Sequence, residues 1–225
     1  MKKYLWLLIL FLIPFKVYGT SSYIVMDADS KRVIEGSNTL EKKLIASTTK
    51  IMTAIIAIEN GNLDEKYKID KDVLKAYGSN IYIEIDEEIT LRDLLYGLLL
   101  RSGNDAAIEI ANCIAGNMDE FVKMMNDKAK NLGMTNTTFI NSSGLENEQK
   151  LGNTSTAYDM ALLMSYAIDN KTFVEISGTK RHIATTNYKT YDWYNKNKLL
   201  TNYKYTIAGK TGFTKLARRT LVTAA

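Results

Sequence analysis

The sequence has one cysteine, one histidine and one proline among its 225 residues. A single cysteine excludes an internal disulfide, and the apolar neighbours of Cys113 predict a small hydrophobic residue in the core. His182 alone gives no strong grounds for a histidine-based catalytic triad. Histidine, cysteine and carboxylate residues nowhere cluster with the spacing of a metal site, and no glycine-rich phosphate loop is present. We therefore expect neither a metal nor a cofactor.

Net charge is also small once the N-terminal residues are set aside. The whole chain carries a formal +4 at pH 7, and Lys2, Lys3 and Lys16 supply three of these four charges, which leaves +1. The remaining lysines are interspersed with acidic residues in the pattern of a solvated surface. The composition therefore gives no sign of a nucleic-acid partner.

Residues 1–19 have the pattern of a secretory signal peptide, and we expect an exported protein. Two lysines precede an apolar run over residues 4–15, and Val17-Tyr18-Gly19 offers an imperfect small-residue cleavage site. A run of twelve apolar residues is short for a membrane span, which needs about 20 residues. The alternative is an uncleaved membrane anchor.

Residues 20–225 are predicted to form one domain of the α+β class, since they contain no repeat, no low-complexity tract and no proline. Capping patterns and helical periodicity predict helices in the middle of the chain, beginning near Ser47, Thr90, Asp105, Asn117 and Thr156. Period-two alternation predicts strands near both ends, at 23–28, 31–35, 181–186, 189–194, 204–208 and 219–224. We expect these strands to form one antiparallel sheet flanked by helices, with a helical insertion lobe beside it.

A serine and a lysine stand three residues apart at the start of an apolar run. Ser47 and Lys50 open a helix that is apolar almost all round and ends near Gly61. Residues i and i+3 lie on one helical face about 5–6 Å apart, so the Lys50 amine can reach the Ser47 hydroxyl. A lysine desolvated by burial has a lowered pKa and can take the proton of a serine nucleophile. The alternative is a capping serine beside a solvated lysine.

This pair alone discriminates little, because Ser177 and Lys180 repeat its spacing in a stretch that the sequence predicts to be a loop. A second motif is formed by Ser102 and Asn104, which lie in a tight connection between two apolar helices. Side chains placed there point either into solvent or into a cleft.

A third motif, Lys210-Thr211-Gly212, lies on a predicted strand over residues 207–214. It combines a cation, a hydroxyl and a residue without a side chain. That combination suits a strand edge against which a ligand carboxylate lies closely. By itself it is compatible with an ordinary strand that contains a lysine.

The three motifs, in this order, resemble the set found in penicillin-binding proteins and serine β-lactamases. Flanking stretches extend the resemblance to the low-molecular-mass D-alanyl-D-alanine carboxypeptidases, over nearly everything after the signal. These stretches are residues 100–107, 141–145, 155–161 and 195–200.

The resemblance implies a β-lactamase/transpeptidase-like fold and a serine peptidase that removes the terminal D-Ala from peptidoglycan stem peptides. Ser47 would be the nucleophile and Lys50 its base. Ser102 would pass the proton to the leaving amine, and Asn104 would hold the substrate amide. Because penicillins mimic the D-Ala-D-Ala end, β-lactam antibiotics would acylate Ser47.

The resemblance also gives the third motif a role in substrate binding. Lys210 would support the proton-transfer network electrostatically and, with Thr211, bind the terminal carboxylate. The backbone N–H groups of Ser47 and Phe213 would form the oxyanion hole. The expected substrate-binding residues are Lys210, Thr211, Gly212, Phe213 and Thr214.

Two features depart from the family pattern. The family commonly has a histidine just before the stretch that begins at Ser155, where residues 151–154 read Leu-Gly-Asn-Thr. Eleven residues follow Thr214, whereas the family continues through a last strand and a closing helix, then usually a β-rich domain and an amphipathic anchor. We therefore expect a C-terminally truncated domain with an exposed sheet edge beside Lys210 and a loosened site. Membrane contact would come only through the signal segment or the missing anchor.

Two other functions stay open. A β-lactamase shares the three motifs, but class A enzymes deacylate with a positioned glutamate, and no Glu-x-x-Leu-Asn pattern lies between Asn104 and Lys210. The nearest acidic cluster is Glu146-Asn147-Glu148. The other alternative is a wall-binding protein or a truncated fragment without activity. Stable acylation without release of D-Ala would distinguish it.

Overall fold

Helices occupy the middle of the chain, as the periodicity predicts. The computed structural model describes residues 21–225, so the predicted signal peptide lies outside the described residues. The helices are α1 (Lys50–Asn60), α2 (Leu91–Tyr96), α3 (Asn104–Ala115), α4 (Met118–Asn131), α5 (Ala157–Ile168), α6 (Lys171–Gly178) and α7 (Leu199–Asn202). A 3₁₀ turn, Ala46–Thr49, runs directly into α1, and a π-helical turn, Gly97–Arg101, continues α2.

Three of the predicted helix starts are capped by side chains. Thr90, Asn117 and Thr156 each accept a hydrogen bond from the backbone N–H three residues further along, at distances of 2.9–3.0 Å. Each cap satisfies a donor that the helix leaves unpaired and stabilises the helix by about 1 kcal/mol. These caps fix the first turns of α2, α4 and α5.

The strands pair in short antiparallel ladders. They are β1 (Tyr23–Met26), β2 (Val33–Ser37), β3 (Lys43–Leu44), β4 (Lys66–Lys68), β5 (Glu88–Thr90), β6 (Thr154–Ser155), β7 (Arg181–Thr185), β8 (Thr190–Tyr194), β9 (Ala208–Thr214) and β10 (Arg218–Ala224). The pairs are β1 with β2, β3 with β6, β4 with β5, β7 with β8 and β9 with β10. Residues 21–225 are thus of the α+β class but contain five two-stranded ladders instead of the single sheet expected from the sequence.

A cleft between β1 and β10 accounts for part of this difference. It has a volume of about 1600 Å³, and its lining includes both strands and the α5 residues Met160, Met164 and Ser165. With this space between them, the backbone groups of β1 and β10 do not pair. The exposed edge expected beside Lys210 belongs to β10, since Lys210 itself lies opposite Val222 in the β9–β10 ladder.

The strand predicted over residues 204–208 is wrong. The chain is irregular from residue 203 to residue 207, and β9 begins only at Ala208. A turn closed by the hydrogen bond from the Thr206 N–H to the Tyr203 carbonyl breaks the extended path. Tyr203 and Tyr205 remain exposed, so their alternation reflects surface aromatics and not a buried sheet face.

Helix α1 lies at the centre of the core. Its residues from Lys50 to Ala57 are all buried, and it contacts α3, α4, α5 and α6. The 3₁₀ turn in front of it packs against β9 and β10. The start of α1 is therefore held between the helical core and the C-terminal ladder. Cys113 packs partly buried against the same core.

None of the helices within residues 21–225 is both long enough and apolar enough to cross a membrane.

Candidate active site

Ser47 lies in the 3₁₀ turn and not in the first turn of α1 itself. The preceding residue, Ala46, has a φ of +46°, a left-handed conformation that costs a non-glycine residue about 1–2 kcal/mol. Gly144 packs directly on this turn, and a Cβ on Gly144 would overlap the Ala46 carbonyl oxygen. Ser47 makes no capping hydrogen bond. Ser47 is half-buried in this strained turn, and its hydroxyl is not used to cap a helix.

Lys50 is the first residue of α1 and is fully buried. Its Nζ lies 2.6 Å from the carbonyl oxygen of Ser143, 2.7 Å from Oδ1 of Asn104 and 3.3 Å from Oγ of Ser47. Burial holds the pKa of the Lys50 ammonium well below its ordinary value, and the charge of Lys210 lowers it further. The prediction that Lys50 reaches Ser47 from a desolvated position is confirmed by this geometry.

Ser102 and Asn104 come from the connection between α2 and α3 and, with Ser47 and Lys50, line the site cleft, which is separate from the cleft between β1 and β10. Ser102 ends the π-helical turn with a φ of +66°, and Asn104 is the first residue of α3. The Asn104 side chain accepts from Lys50 through Oδ1 and donates to the Tyr77 carbonyl through Nδ2 at 2.6 Å. Both side chains are buried, so the connection points them into the cleft and not into solvent.

Lys210 forms the opposite wall of the cleft. Its side chain is 2% exposed, and its Nζ donates to Ser102 Oγ at 3.0 Å and to the Thr211 carbonyl at 2.7 Å. Burial lowers the pKa of Lys210 to about 7, and the nearby charge of Lys196 acts in the same direction. Each of the two lysines is thus hydrogen-bonded to a different serine.

Strand β9 lies directly against the Ser47 turn. A Cβ on Gly212 would be 2.9 Å from the backbone N of Ser47, which is closer than ordinary van der Waals contact. The strand can approach the turn this closely because residue 212 has no side chain. Phe213, the next residue, is 61% exposed. The hydroxyl of Thr214 donates to the Glu146 carboxylate.

Other candidates from the sequence lie away from this cleft. Ser177 is in the last turn of α6, so the loop predicted for it is wrong, and its Oγ has no hydrogen-bond partner within residues 21–225. His182 pairs with Asp93 at 2.7 Å and stacks on Tyr96. No group of three or more histidine, cysteine or carboxylate residues in residues 21–225 could hold a metal ion.

Sequence reasoning missed the group that completes the Lys50 contacts. The Ser143 carbonyl belongs to a loop whose residues, 141–144, looked like the family but carried no assigned role. Asn153, which stands near the position of the family's histidine, holds this loop through buried hydrogen bonds. A backbone acceptor leaves no sequence signature, and only the glycine at position 144, with a φ of +86°, hints at a tight loop.

Comparison with known proteins gives consistent matches along the chain. The model of the D-alanyl-D-alanine carboxypeptidase family, Peptidase_S11, matches residues 17–225. The chain is 34% identical over 214 residues to D-alanyl-D-alanine carboxypeptidase DacF of Bacillus subtilis, covering 92% of this chain and 54% of that protein. It is 33% identical to DacB2 of Mycobacterium tuberculosis, covering 95% of this chain and 72% of that protein. The chain therefore spans about half the length of the Bacillus relative.

Solved structures agree with the sequence matches. The crystal structure of a D-alanyl-D-alanine carboxypeptidase from Mycobacterium tuberculosis superposes with a TM-score of 0.86 at 34% identity, covering 91% of this chain and 76% of that one. A mutant of a Streptomyces DD-transpeptidase superposes with a TM-score of 0.84 at 33% identity, covering 91% of this chain and 84% of that one. The penicillin-binding-protein fold expected from the motifs is thereby confirmed.

Proposed function

Because the chain belongs to the D-alanyl-D-alanine carboxypeptidase family, we propose that it cleaves the terminal D-Ala from peptidoglycan stem peptides through an acyl-enzyme on Ser47. The observation that carries this proposal is the set of three contacts around Lys50 Nζ. They allow a neutral amine to act as the base for Ser47.

A neutral lysine amine has two N–H donors and one lone pair. Two of its three neighbours, the Asn104 Oδ1 and the Ser143 carbonyl, can only accept hydrogen bonds. They take the two N–H groups, and the lone pair is left for the Ser47 hydroxyl. Burial favours this neutral form, since it disfavours the ammonium. Lys50 can therefore remove the Ser47 proton as the hydroxyl attacks the carbonyl of the penultimate D-Ala.

The second serine and lysine serve the leaving group. Ser102 Oγ accepts from Lys210, which leaves the hydroxyl proton of Ser102 free to point into the cleft. That proton goes to the amine of the departing D-Ala, and the proton that Lys50 took from Ser47 would replace it on Ser102, so both lysines end acylation in the state in which they began. The Asn104 side chain, which accepts a hydrogen bond from Lys50, would hold the substrate amide.

Strand β9 would bind the substrate. The Lys210 ammonium and the Thr211 hydroxyl would receive the terminal carboxylate, since a cation and a hydroxyl on one strand edge suit it. The backbone N–H groups of Ser47 and Phe213 would stabilise the oxyanion, and removing one such donor typically costs about 10²–10³ in rate. Gly212 and Thr214 would line the same edge. The close approach of Gly212 to the Ser47 backbone supports this arrangement.

The location of the substrate agrees with the proposed signal peptide over residues 1–19, since peptidoglycan lies outside the cytoplasmic membrane. We therefore infer that the domain over residues 20–225 acts after export. β-Lactam antibiotics would acylate Ser47 as mimics of the substrate.

The test is the intact mass of the protein followed over time after addition of benzylpenicillin, together with release of D-Ala from a peptide that ends in D-Ala-D-Ala. A persistent adduct and D-Ala release, both absent from Ser47→Ala, are expected. A transient adduct without D-Ala release would point to a β-lactamase instead. An adduct that persists without D-Ala release would point to a binding protein, and a folded sample with no adduct would refute the proposal.

A further inference from the structure

Asn153 uses every hydrogen-bonding group of its side chain to join two parts of the active site. Its Oδ1 accepts from the backbone N–H groups of Ile140 (2.7 Å) and Asn141 (3.2 Å). Its Nδ2 donates to the Asn141 carbonyl and to Thr49 Oγ1, both at 2.9 Å. The side chain is 1% exposed. Asn153 therefore ties the start of the 141–144 loop to Thr49, which lies between the proposed nucleophile and its base.

The 141–144 loop then places several groups on the start of α1. The Ser143 carbonyl accepts from Lys50 Nζ at 2.6 Å, and the Ser142 carbonyl accepts from Thr53 Oγ1 at 2.7 Å. Gly144 packs on the strained Ala46 turn. The Asn141 side chain folds the loop on itself by accepting from the N–H groups of Ser143 and Gly144. Gly144 also packs against Thr49 Oγ1, and Asn153 adds the side-chain hydrogen bond that holds the loop at this contact.

We propose that Asn153 is a positioning residue for acylation, an inference that rests on the proposed function. The side-chain amide of Asn153 fixes the 141–144 loop against Thr49. The Ser143 carbonyl therefore keeps its hydrogen bond from one N–H of the Lys50 amine. The lone pair of that amine then stays directed at the Ser47 hydroxyl. Within residues 21–225 no hydrogen bond joins the Asn153 side chain to Ser47 or Lys50, so this side chain acts through Thr49 and the loop.

A loosened loop changes both the geometry and the titration of Lys50. A misplacement of about 1 Å among reacting groups can lower a rate about 10²-fold. Water that enters beside Lys50 weakens the desolvation that lowers its pKa, so the pKa rises and a larger fraction is protonated at a given pH. The charged groups that also face Lys50 are Lys210 of β9, Asp105 of α3 and Lys196 before α7. None of these three groups is hydrogen-bonded to the Asn153 side chain.

Two substitutions and a matched control test the proposal. Asn153→Ala removes the whole link, and Thr49→Val removes only its bond to Thr49 while keeping the shape of that side chain. The control is Asn126→Ala, because Asn126 makes the same kind of amide clamp on the backbone of Phe139, two residues before Asn141, but attaches it to α4. For each variant, the second-order rate of acylation by benzylpenicillin is measured across pH, together with the thermal unfolding temperature.

Asn153→Ala is expected to acylate about 10- to 100-fold more slowly than wild type, with the acid limb of the pH profile moved to higher pH. Thr49→Val is expected to lose about three- to tenfold, and the same change should have little further effect in the Asn153→Ala background. Asn126→Ala should lose stability yet acylate near the wild-type rate.

Wild-type rate and pH profile in both Asn153→Ala and Thr49→Val would overturn the proposal. So would an equal loss of rate in Asn126→Ala, since any loosening of the chain near residue 139 would then suffice. If Asn153→Ala does not fold, Thr49→Val decides by itself. A wild-type protein that is folded and never acylated would refute the proposed function, which separates that failure from a failure of this inference.

Discussion

Replacing Gly212 by alanine would push β9 away from the nucleophile. The new Cβ would lie 2.9 Å from the backbone N of Ser47 and 3.2 Å from that of Thr48, and it would overlap Oγ1 of Thr220. Ordinary van der Waals contact begins near 3.4 Å, so the strand and the Ser47 turn must separate by about 0.5 Å. If 1 Å of misplacement costs about 10²-fold, this separation lowers the acylation rate about tenfold.

The assay is the second-order rate of acylation by benzylpenicillin, with D-Ala release as a second readout. Two further variants separate strand displacement from general damage. Thr220→Ala in the Gly212→Ala background removes the overlap with the hydroxyl but leaves the contact with Ser47, so it should recover stability and little of the rate. Gly133→Ala introduces a Cβ into open space at a φ of +74°, so it should lower stability without lowering the rate.

Gly212→Ala with wild-type acylation and wild-type stability would refute the reasoning, because β9 would then not need its close approach to Ser47. Full recovery of the rate in the Gly212→Ala/Thr220→Ala double variant would refute it as well. That result would assign the whole effect to Thr220, whose hydroxyl donates to the Ile45 carbonyl at 3.1 Å.

Three further predictions follow from the same site. Lys50→Met keeps the buried volume but removes the base, so acylation should fall at least about 10²-fold while the circular dichroism spectrum is retained; normal acylation would contradict the role of Lys50. Lys210 has its pKa lowered to about 7 and is expected to work as a cation, so acylation should decline as pH rises through that value. Lys210→Arg should move this alkaline limb upward, and an unmoved limb would assign it to another group. Glu146→Gln removes the carboxylate beside Thr214, and with it a negative charge that repels anionic penicillin. Acylation should therefore accelerate about two- to fivefold in a stopped-flow measurement. A slower rate would assign Glu146 a supporting role.

The side chains of the candidate site could be proposed from the sequence because they belong to motifs with short spacings. Ser47 and Lys50 are three residues apart at a helix start, and Ser102 and Asn104 share one tight connection. For Ser47 and Lys50, local backbone geometry brings the two side chains to the same side. The meeting of the three motifs in one cleft depends on tertiary packing, and only the resemblance to a family supplied it.

The contacts that hold the site together were not predictable in this way. The Ser143 carbonyl is a backbone group that every residue possesses, and Asn153 is one of many asparagines in a polar stretch.

The sheet was over-predicted for a related reason. Alternation shows which residues can form strands, but pairing depends on whether two edges come together, and β1 and β10 are separated by a cleft.

The scarcity of histidine in the whole sequence bears on the chemistry of the site. A histidine can act as a base near neutral pH because its ordinary pKa lies there, whereas a lysine is a cation at that pH unless its surroundings change it. The one histidine, His182, is engaged with Asp93 and Tyr96. The fold instead buries Lys50 and Lys210, and burial lowers the pKa of both.

The proposed mechanism nevertheless requires opposite protonation states of the two lysines, and their neighbours distinguish them. Lys50 faces two obligate acceptors and a serine hydroxyl, which suits an amine with one lone pair to offer. Lys210 faces Ser102 and a carbonyl at the strand edge proposed for the substrate carboxylate, and an incoming anion would raise its pKa again. Substrate binding would thus restore the charge on Lys210, and that charge would in turn keep Lys50 neutral for the attack by Ser47.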